Sequence, residues 1–92
     1  MREKYVEQKL VREVRKRGGL CEKWNSVTSG WPDRIVLLSD GKIGFVEVKA
    51  PGKKPRVLQE HRHDQLRSLG YKVFVLDAAG QIGGILDGIQ TA

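Results

Sequence analysis

The chain has 92 residues, of which 39% are hydrophobic, and 17 Lys and Arg against 11 Asp and Glu give a formal net charge of +6. This length suits a small core, so we assign residues 1–92 to a single domain. The one cysteine, Cys21, excludes an internal disulfide, favours a cytoplasmic protein and is expected to be buried in a strand. We expect no signal peptide and no membrane partner, because no apolar run approaches a membrane-spanning length. The basic charge favours a polyanionic partner, although a solvated basic surface has the same composition.

A first helix is predicted from Arg2 to Arg17, because apolar residues recur at helical spacing and Gly18-Gly19 suits a C-terminal cap. Glu3 and Glu7 fall within the apolar sector of this helix. An acid on a core-facing sector needs a partner, which either a metal site or an ion pair at the sector's edge provides. Glu7 is the better candidate for a metal site, since the helix dipole alone favours an acid at Glu3.

The opposite face of this helix is densely basic. Seven of the 17 Lys and Arg precede Gly18, among them Arg12, Arg15 and Lys16. Contact with a DNA backbone explains this pattern, and so does a solvated helix end that complements the dipole.

Residues 30–49, GWPDRIVLLSDGKIGFVEVK, predict two strands joined at Asp40-Gly41, a strong hairpin signal. Side chains alternate along a strand, so Glu47 and Lys49 share one face. The fold-back brings Asp33, at the start of one strand, towards Glu47 near the end of the next. Two carboxylates and an ammonium group gathered in this way are typical of a small magnesium site.

Two further segments flank this hairpin. A preceding strand is predicted over residues 20–27, followed by a loop that leads to Trp31-Pro32. The ring of Trp31 is either a lid on the core or a platform for a nucleic-acid base. After the hairpin, residues 50–56 form a loop whose three basic side chains are placed to contact phosphates, namely Lys53, Lys54 and Arg56.

A second helix is predicted from residue 57 or 58 to Leu69, with a buried stripe formed by Leu58, Leu66 and Leu69. Gln59 borders that stripe and is expected to face the same interior as the carboxylates. Arg62 projects from the same face, where it reaches either a phosphate or an exposed ion-pair partner. His61 and His63 lie two residues apart and point in different directions, and one cysteine cannot complete a zinc ligand set with them.

A last strand is predicted over residues 71–77, covered on both faces, and a glycine-rich tail follows. The tail carries four apolar residues at helical spacing, which exceed what one small core needs: Ile82, Ile85, Leu86 and Ile89. We expect this tail to need packing support from a second subunit.

The pattern Pro32-Asp33, followed by Glu47-x-Lys49, resembles the PD-(D/E)xK nuclease superfamily. The fuller strings GWPDRIVLL and FVEVKAPG, with Gln59 opening a helix, resemble the VRR-NUC family in particular. The similarity runs from about Glu7 to Asp77. It implies an α/β fold with the order α-β-β-β-α-β, in which one mixed sheet is flanked by helices and followed by a short helical tail.

The resemblance also implies a chemistry for these residues. Asp33, Glu47, the Val48 carbonyl and Glu7 would hold Mg²⁺ or Mn²⁺. Lys49 would orient a water molecule or stabilise charge on the phosphate, and Gln59 would support the water or the substrate.

We therefore expect a metal-dependent DNA endonuclease of a bacterium or a phage-infected cell. Its active form is expected to be a homodimer that acts on branched DNA, in the manner of a four-way (Holliday) junction resolvase. The alternatives are a less selective DNA nuclease and a DNA-binding module without catalytic activity.

Overall fold

The computed structural model describes residues 3–91. It contains three helices and four strands within that range, in this order: α1 Glu3–Lys16, β1 Leu20–Lys23, β2 Arg34–Leu38, β3 Lys42–Val48, α2 Val57–Ser68, β4 Lys72–Leu76 and α3 Ile82–Gln90. Short 3-10 turns cover Ser39–Gly41 and Ala79–Gln81. No helix in this part of the chain has both the length and the apolar character needed to cross a membrane.

The four strands form one mixed sheet with the order β1-β2-β3-β4. The pairs β1-β2 and β2-β3 are antiparallel, whereas β4 runs parallel to β3. Helices α1 and α3 pack on one face of the sheet, and α2 packs on the other. The predicted α/β fold, with its element order and C-terminal helix, is confirmed.

The main core lies between the sheet and the pair α1 and α3. Three residues of α1 are fully buried there, Val6, Leu10 and Val14, and they meet the inward side chains of β2, β3 and β4. A smaller cluster beneath α2 contains Phe45, Leu66 and Val73, against which Trp31 packs. Cys21 is buried, as predicted.

Helix α3 completes the main core of its own chain. Its four apolar residues are each at most 6% exposed: Ile82, Ile85, Leu86 and Ile89. The interpretation of these side chains as surplus to one core is therefore wrong. Gly44 in β3 makes this packing possible, because a Cβ at that position would lie 2.5 Å from the Ile89 side chain.

Three local predictions differ from the structure. The first strand ends at Lys23, because the chain leaves the β1-β2 ladder at a Ser- and Thr-rich loop in which Val27 is fully exposed. Helix α2 buries Gln59, His63 and Leu66, whereas Leu58 and Leu69 of the predicted stripe are 50% and 73% exposed. The first helix was predicted from Arg2, which lies outside the described residues.

Candidate active site

The register of the β2-β3 hairpin places the two acids of the hairpin side by side. Arg34 pairs with Val46, so continuing the antiparallel register by one residue places Asp33 opposite Glu47. Residues that lie directly opposite each other share a face of the sheet. Asp33 is also tied to β3, because its Oδ2 accepts a hydrogen bond of 2.8 Å from the backbone N–H of Val48.

Glu47 is the centre of the site. It is only 2% exposed, and polar groups surround its carboxylate. Lys49 Nζ lies 3.5 Å from Oε2, and Gln59 Nε2 donates a hydrogen bond of 3.0 Å to the same oxygen. His63 Nε2 lies 3.6 Å from Oε1, and neither of these two buried atoms has a hydrogen-bond partner among the described residues.

The surroundings of Glu47 disfavour its ionised form. Burial, and then the negative charge of Asp33, raise the pKa of Glu47 from 4.5 to about 7, although Lys49 acts in the opposite direction. A raised carboxylate pKa beside a second acid and a lysine makes Glu47 a candidate functional residue.

Helix α2 supplies the two polar side chains that approach Glu47. Gln59 and His63 are four residues apart, so they lie on one face of the helix. The Oε1 of Gln59 accepts a hydrogen bond of 2.8 Å from the backbone N–H of Arg56, which caps the start of α2 and fixes the amide that donates to Glu47. Burial lowers the pKa of His63, which favours the neutral ring.

His63 was not among the predicted site residues. Its sequence signal is its position one helical turn after Gln59, which places both side chains on the sheet-facing side of α2. That signal was masked because Leu58 and Leu69 suggested a different buried stripe. The distance between His63 and Glu47 depends on how the helix packs on β3.

Glu7 has a different set of contacts. Its Oε2 accepts a hydrogen bond of 2.7 Å from Arg34 Nε and lies 4.0 Å from Lys23 Nζ. Arg34 and Val36 are two residues apart in β2, so their side chains share one face of the sheet, and Val36 belongs to the main core. The ion pair of Glu7 with Arg34 therefore forms on the α1 side of the sheet, whereas Glu47 lies on the α2 side. The structure thus places Glu7 in the ion pair that was its alternative interpretation, and Glu3 is exposed.

The predicted phosphate-contacting residues fall into two groups. Those of the loop after β3 are exposed and follow Lys49 directly: Lys53, Lys54 and Arg56. Those of α1 are also exposed, but they precede Gly19, which packs against Leu37 and Leu38 at the far end of β2 from Asp33: Arg12, Arg15 and Lys16. The loop is therefore nearer to Glu47 than the basic end of α1 is.

Arg62 belongs to neither group. Its guanidinium carbon lies 5.7 Å from the centre of the Trp31 ring, and its Nη1 donates a hydrogen bond of 2.8 Å to Gln65. The side chain is half-buried in these contacts, so the structure shows neither the exposed ion pair nor a freely projecting cation.

The donor set fits a divalent cation. No group of three or more His, Cys, Asp and Glu suited to a metal occurs within residues 3–91. Mg²⁺, however, is commonly held by only one or two carboxylates together with water and substrate phosphate oxygens. The pair Asp33 and Glu47 meets that requirement, and the unpartnered Oε1 of Glu47 is the kind of buried atom that a cation would satisfy.

The fold and this constellation define a nuclease domain of the PD-(D/E)xK type. Residues 3–80 match the VRR-NUC domain model, so the chain belongs to the VRR-NUC family. It is 51% identical over 79 residues to a protein of Acyrthosiphon pisum secondary endosymbiont phage 1 named "Putative nuclease p44", with 85% of each chain covered. It is also similar to a solved structure described as a VRR_NUC domain, with 33% identity, a TM-score of 0.87 and coverage of 92% of this chain and 94% of that one.

Proposed function

We propose that this protein is a Mg²⁺- or Mn²⁺-dependent endonuclease that hydrolyses phosphodiester bonds in DNA. The observation that carries the proposal is the buried Glu47, with Asp33 opposite it and Lys49 3.5 Å from its Oε2. A structural ion pair would not require a second acid beside the first, because that acid raises the cost of ionising Glu47.

Asp33 and Glu47 would hold the cation, and the Val48 carbonyl between Glu47 and Lys49 remains a proposed third ligand. The chemistry supplied by a bound cation is polarisation of the phosphate and acidification of the attacking water. Gln59 holds the Glu47 carboxylate in place by its hydrogen bond of 3.0 Å. The Lys49 side chain is 18% exposed, and its ammonium would stabilise charge on the phosphate.

Glu7 is the weakest member of the proposed set of ligands. A role in the metal site would require Glu7 to leave Arg34, whose Nε it contacts at 2.7 Å. We retain Glu7 only as a residue that stabilises the start of β2 through Arg34, immediately after Asp33.

A purely DNA-binding module is the alternative function. The position of Asp33 opposite Glu47 argues against it, because the second acid raises the cost of ionising the first. The exposed charges on the loop after β3 are compatible with either function.

We further propose branched DNA as the preferred substrate and a homodimer as the active form. One site of this kind cuts one strand, and two-fold symmetry would present two sites to the two strands of a four-way junction. The apolar residues of α3 do not support the dimer, since they are buried within the chain. The surface of such a dimer therefore lies elsewhere.

The decisive experiment incubates the protein with linear, flapped and four-way-junction DNA, with Mg²⁺ or with EDTA. Glu47→Gln and Lys49→Ala are expected to lower the rate of Mg²⁺-dependent cleavage by about 100-fold or more while DNA binding persists. Glu60→Gln, which removes an exposed acid from α2, is the matched control and should cut at the wild-type rate. Cleavage at the wild-type rate by Glu47→Gln or Lys49→Ala would contradict the assignment of the active site.

The same assay tests the substrate. Paired, symmetric nicks across the junction would support a dimeric resolvase, and equal cutting of plain linear duplex would contradict the preference for branches. Sedimentation at micromolar concentration measures the oligomeric state, and a monomer would contradict the dimer without affecting the nuclease assignment.

A further inference from the structure

A second feature of the site is a cavity of about 390 Å³ beside the proposed cation ligands Asp33 and Glu47. It lies between the loop that joins β1 to β2 and the start of α2. Asp33 and Gln59 contribute to its wall, so it is continuous with the candidate active site. The other lining residues include Trp24, Asn25, Ser29 and Arg56.

The loop that forms this cavity is held in place at both sides. The backbone N–H of Trp24 donates a hydrogen bond of 2.9 Å to the carbonyl of Asp33, which closes the base of the loop. Gly30 has a φ of 90°, and a Cβ there would lie 2.9 Å from the Leu58 carbonyl, so the loop backbone packs directly against α2. The cavity is therefore preformed.

An aromatic cluster lies beside the cavity. The rings of Trp24 and Trp31 have centroids 5.7 Å apart, and both contact Phe45 in edge-on or tilted arrangements. Trp31 is half-buried in this cluster beneath Arg62, which makes it the lid of the small core. Trp24 is 39% exposed and lines the cavity, so it offers a fixed but accessible indole.

The lining of the cavity itself is mostly polar. Asn25 and Ser29 are exposed and supply amide and hydroxyl groups, and Arg56 supplies a positive charge at the start of α2. A ligand that fits both this polar lining and the neighbouring Trp24 indole has a flat apolar face, hydrogen-bonding edges and a negative charge. A nucleotide has all three properties.

We propose that this cavity binds one unpaired nucleotide of the DNA, with its base on Trp24 and its phosphate near Arg56. The inference rests on the proposed nuclease function and adds a reason for selectivity. A base inside a duplex has both faces covered by its neighbours, so only a base that has left the stack can contact Trp24. DNA that contains an unpaired nucleotide, or a branch where one is released at low cost, is then favoured over plain duplex.

The test is an affinity measurement in EDTA, so that no cleavage occurs. Fluorescence anisotropy compares a labelled duplex that carries one unpaired nucleotide with the same duplex fully paired. Trp24→Ala is expected to weaken binding to the first DNA by about 5- to 150-fold, the range for loss of one base–aromatic stack, and to leave the second unchanged. Trp24→Phe, which retains a ring, should restore most of the affinity.

Three controls separate recognition from folding. An abasic residue at the unpaired position should weaken wild-type binding by a similar factor, and it should have no further effect in Trp24→Ala. Tyr5→Ala removes an exposed aromatic residue of α1 and should change neither affinity. Asn25→Ala, at an exposed position, should weaken binding to the unpaired nucleotide alone, by about 2- to 10-fold for a lost hydrogen bond.

Two results would overturn the nucleotide site. One is an equal effect of Trp24→Ala on both DNAs, and the other is an effect of Trp24→Ala that persists unchanged when the base is removed. Failure of the nuclease proposal is seen separately, as the absence of Mg²⁺-dependent cleavage of any DNA by the wild-type protein, and would leave the affinity comparison as it stands.

Discussion

His63 Nε2 lies 3.6 Å from Oε1 of Glu47, while Gln59 donates a hydrogen bond to Oε2 of the same carboxylate. One face of α2 therefore approaches both oxygens of a single buried acid. An acid of 2% exposure has little freedom to rotate when both oxygens are approached in this way. This contact couples the packing of α2 to the geometry of the candidate metal site.

Gln59→Ala is expected to lower the free energy of unfolding by about 1–3 kcal/mol, because it leaves the buried Glu47 without its amide donor and the Arg56 N–H without its acceptor. Urea denaturation measures the change. His61→Ala removes an exposed polar side chain from the same helix and should cost no more than about 0.5 kcal/mol. Equal effects of the two variants would show that Gln59 does not support Glu47.

The stability of the metal-free protein should depend on pH through Glu47. Its pKa is raised in the fold, so its contribution is complete below the ordinary value of 4.5 and is lost as the pH rises through about 7. Glu47→Gln removes this titration. The unfolding free energy of the variant minus that of the wild type should therefore increase by a few kcal/mol from pH 4.5 to 8, at about 1.4 kcal/mol for each pKa unit.

Urea denaturation in EDTA across this pH range measures that difference, in which titrations common to the two proteins cancel. A difference that stays constant with pH would mean that Glu47 is not destabilised by burial. Added Mn²⁺ should stabilise the wild type more at pH 8 than at pH 5, because a carboxylate must be ionised to bind a cation.

Replacing Lys53, Lys54 and Arg56 by Gln should weaken binding to every DNA sequence alike. The slope of log affinity against log salt should become shallower by about 2–3, corresponding to one counterion for each lost phosphate contact. The matched variant replaces three exposed cations of α1, Arg12, Arg15 and Lys16, and should have the smaller effect because they lie near the far end of β2. An unchanged slope for the loop variant would identify the loop as ordinary solvated surface.

Two glycine substitutions test whether α3 belongs to the core. Gly44→Ala should lower the free energy of unfolding by about 1–3 kcal/mol, because the new methyl group would displace Ile89. Gly84→Ala, on the exposed side of α3 with no atom near the new Cβ, should raise it by about 0.5–1 kcal/mol. Thermal melts at several protein concentrations measure both changes. If the melting temperature of Gly44→Ala rose to the wild-type value as the protein concentration increased, Ile89 would instead belong to a subunit interface.

The hairpin illustrates what local sequence can predict. Asp40 and Gly41 adopt positive φ values of 63° and 71°, so the turn forms where the Asp-Gly pair predicts it. The alternation of side chains then places Phe45 and Glu47 on one face and Val46 and Val48 on the other, as the buried clusters show. Turn chemistry and strand periodicity are local properties, which is why both predictions were confirmed.

Helix α2 shows where local patterns fail. Leu58 and Leu69 are more hydrophobic than Gln59 and His63, yet the two polar residues face the sheet. Burial of Gln59 gives the buried Glu47 carboxylate a hydrogen-bond donor, which a leucine on that face could not supply. The same reasoning applies to Glu7, whose partner Arg34 is 27 residues away in sequence and cannot be identified from the helix alone.

The sequence by itself determined the order of the elements, the pairing of Asp33 with Glu47 and the family to which the chain belongs, because these follow from residue types at short or fixed spacing. Only the tertiary structure decided which side chains reach Glu47, which ion pair holds Glu7 and where the apolar residues of α3 are buried. Those outcomes depend on how helices rotate and pack on the sheet. That packing brings polar partners such as Gln59 and Arg34 to acids that are distant from them in sequence.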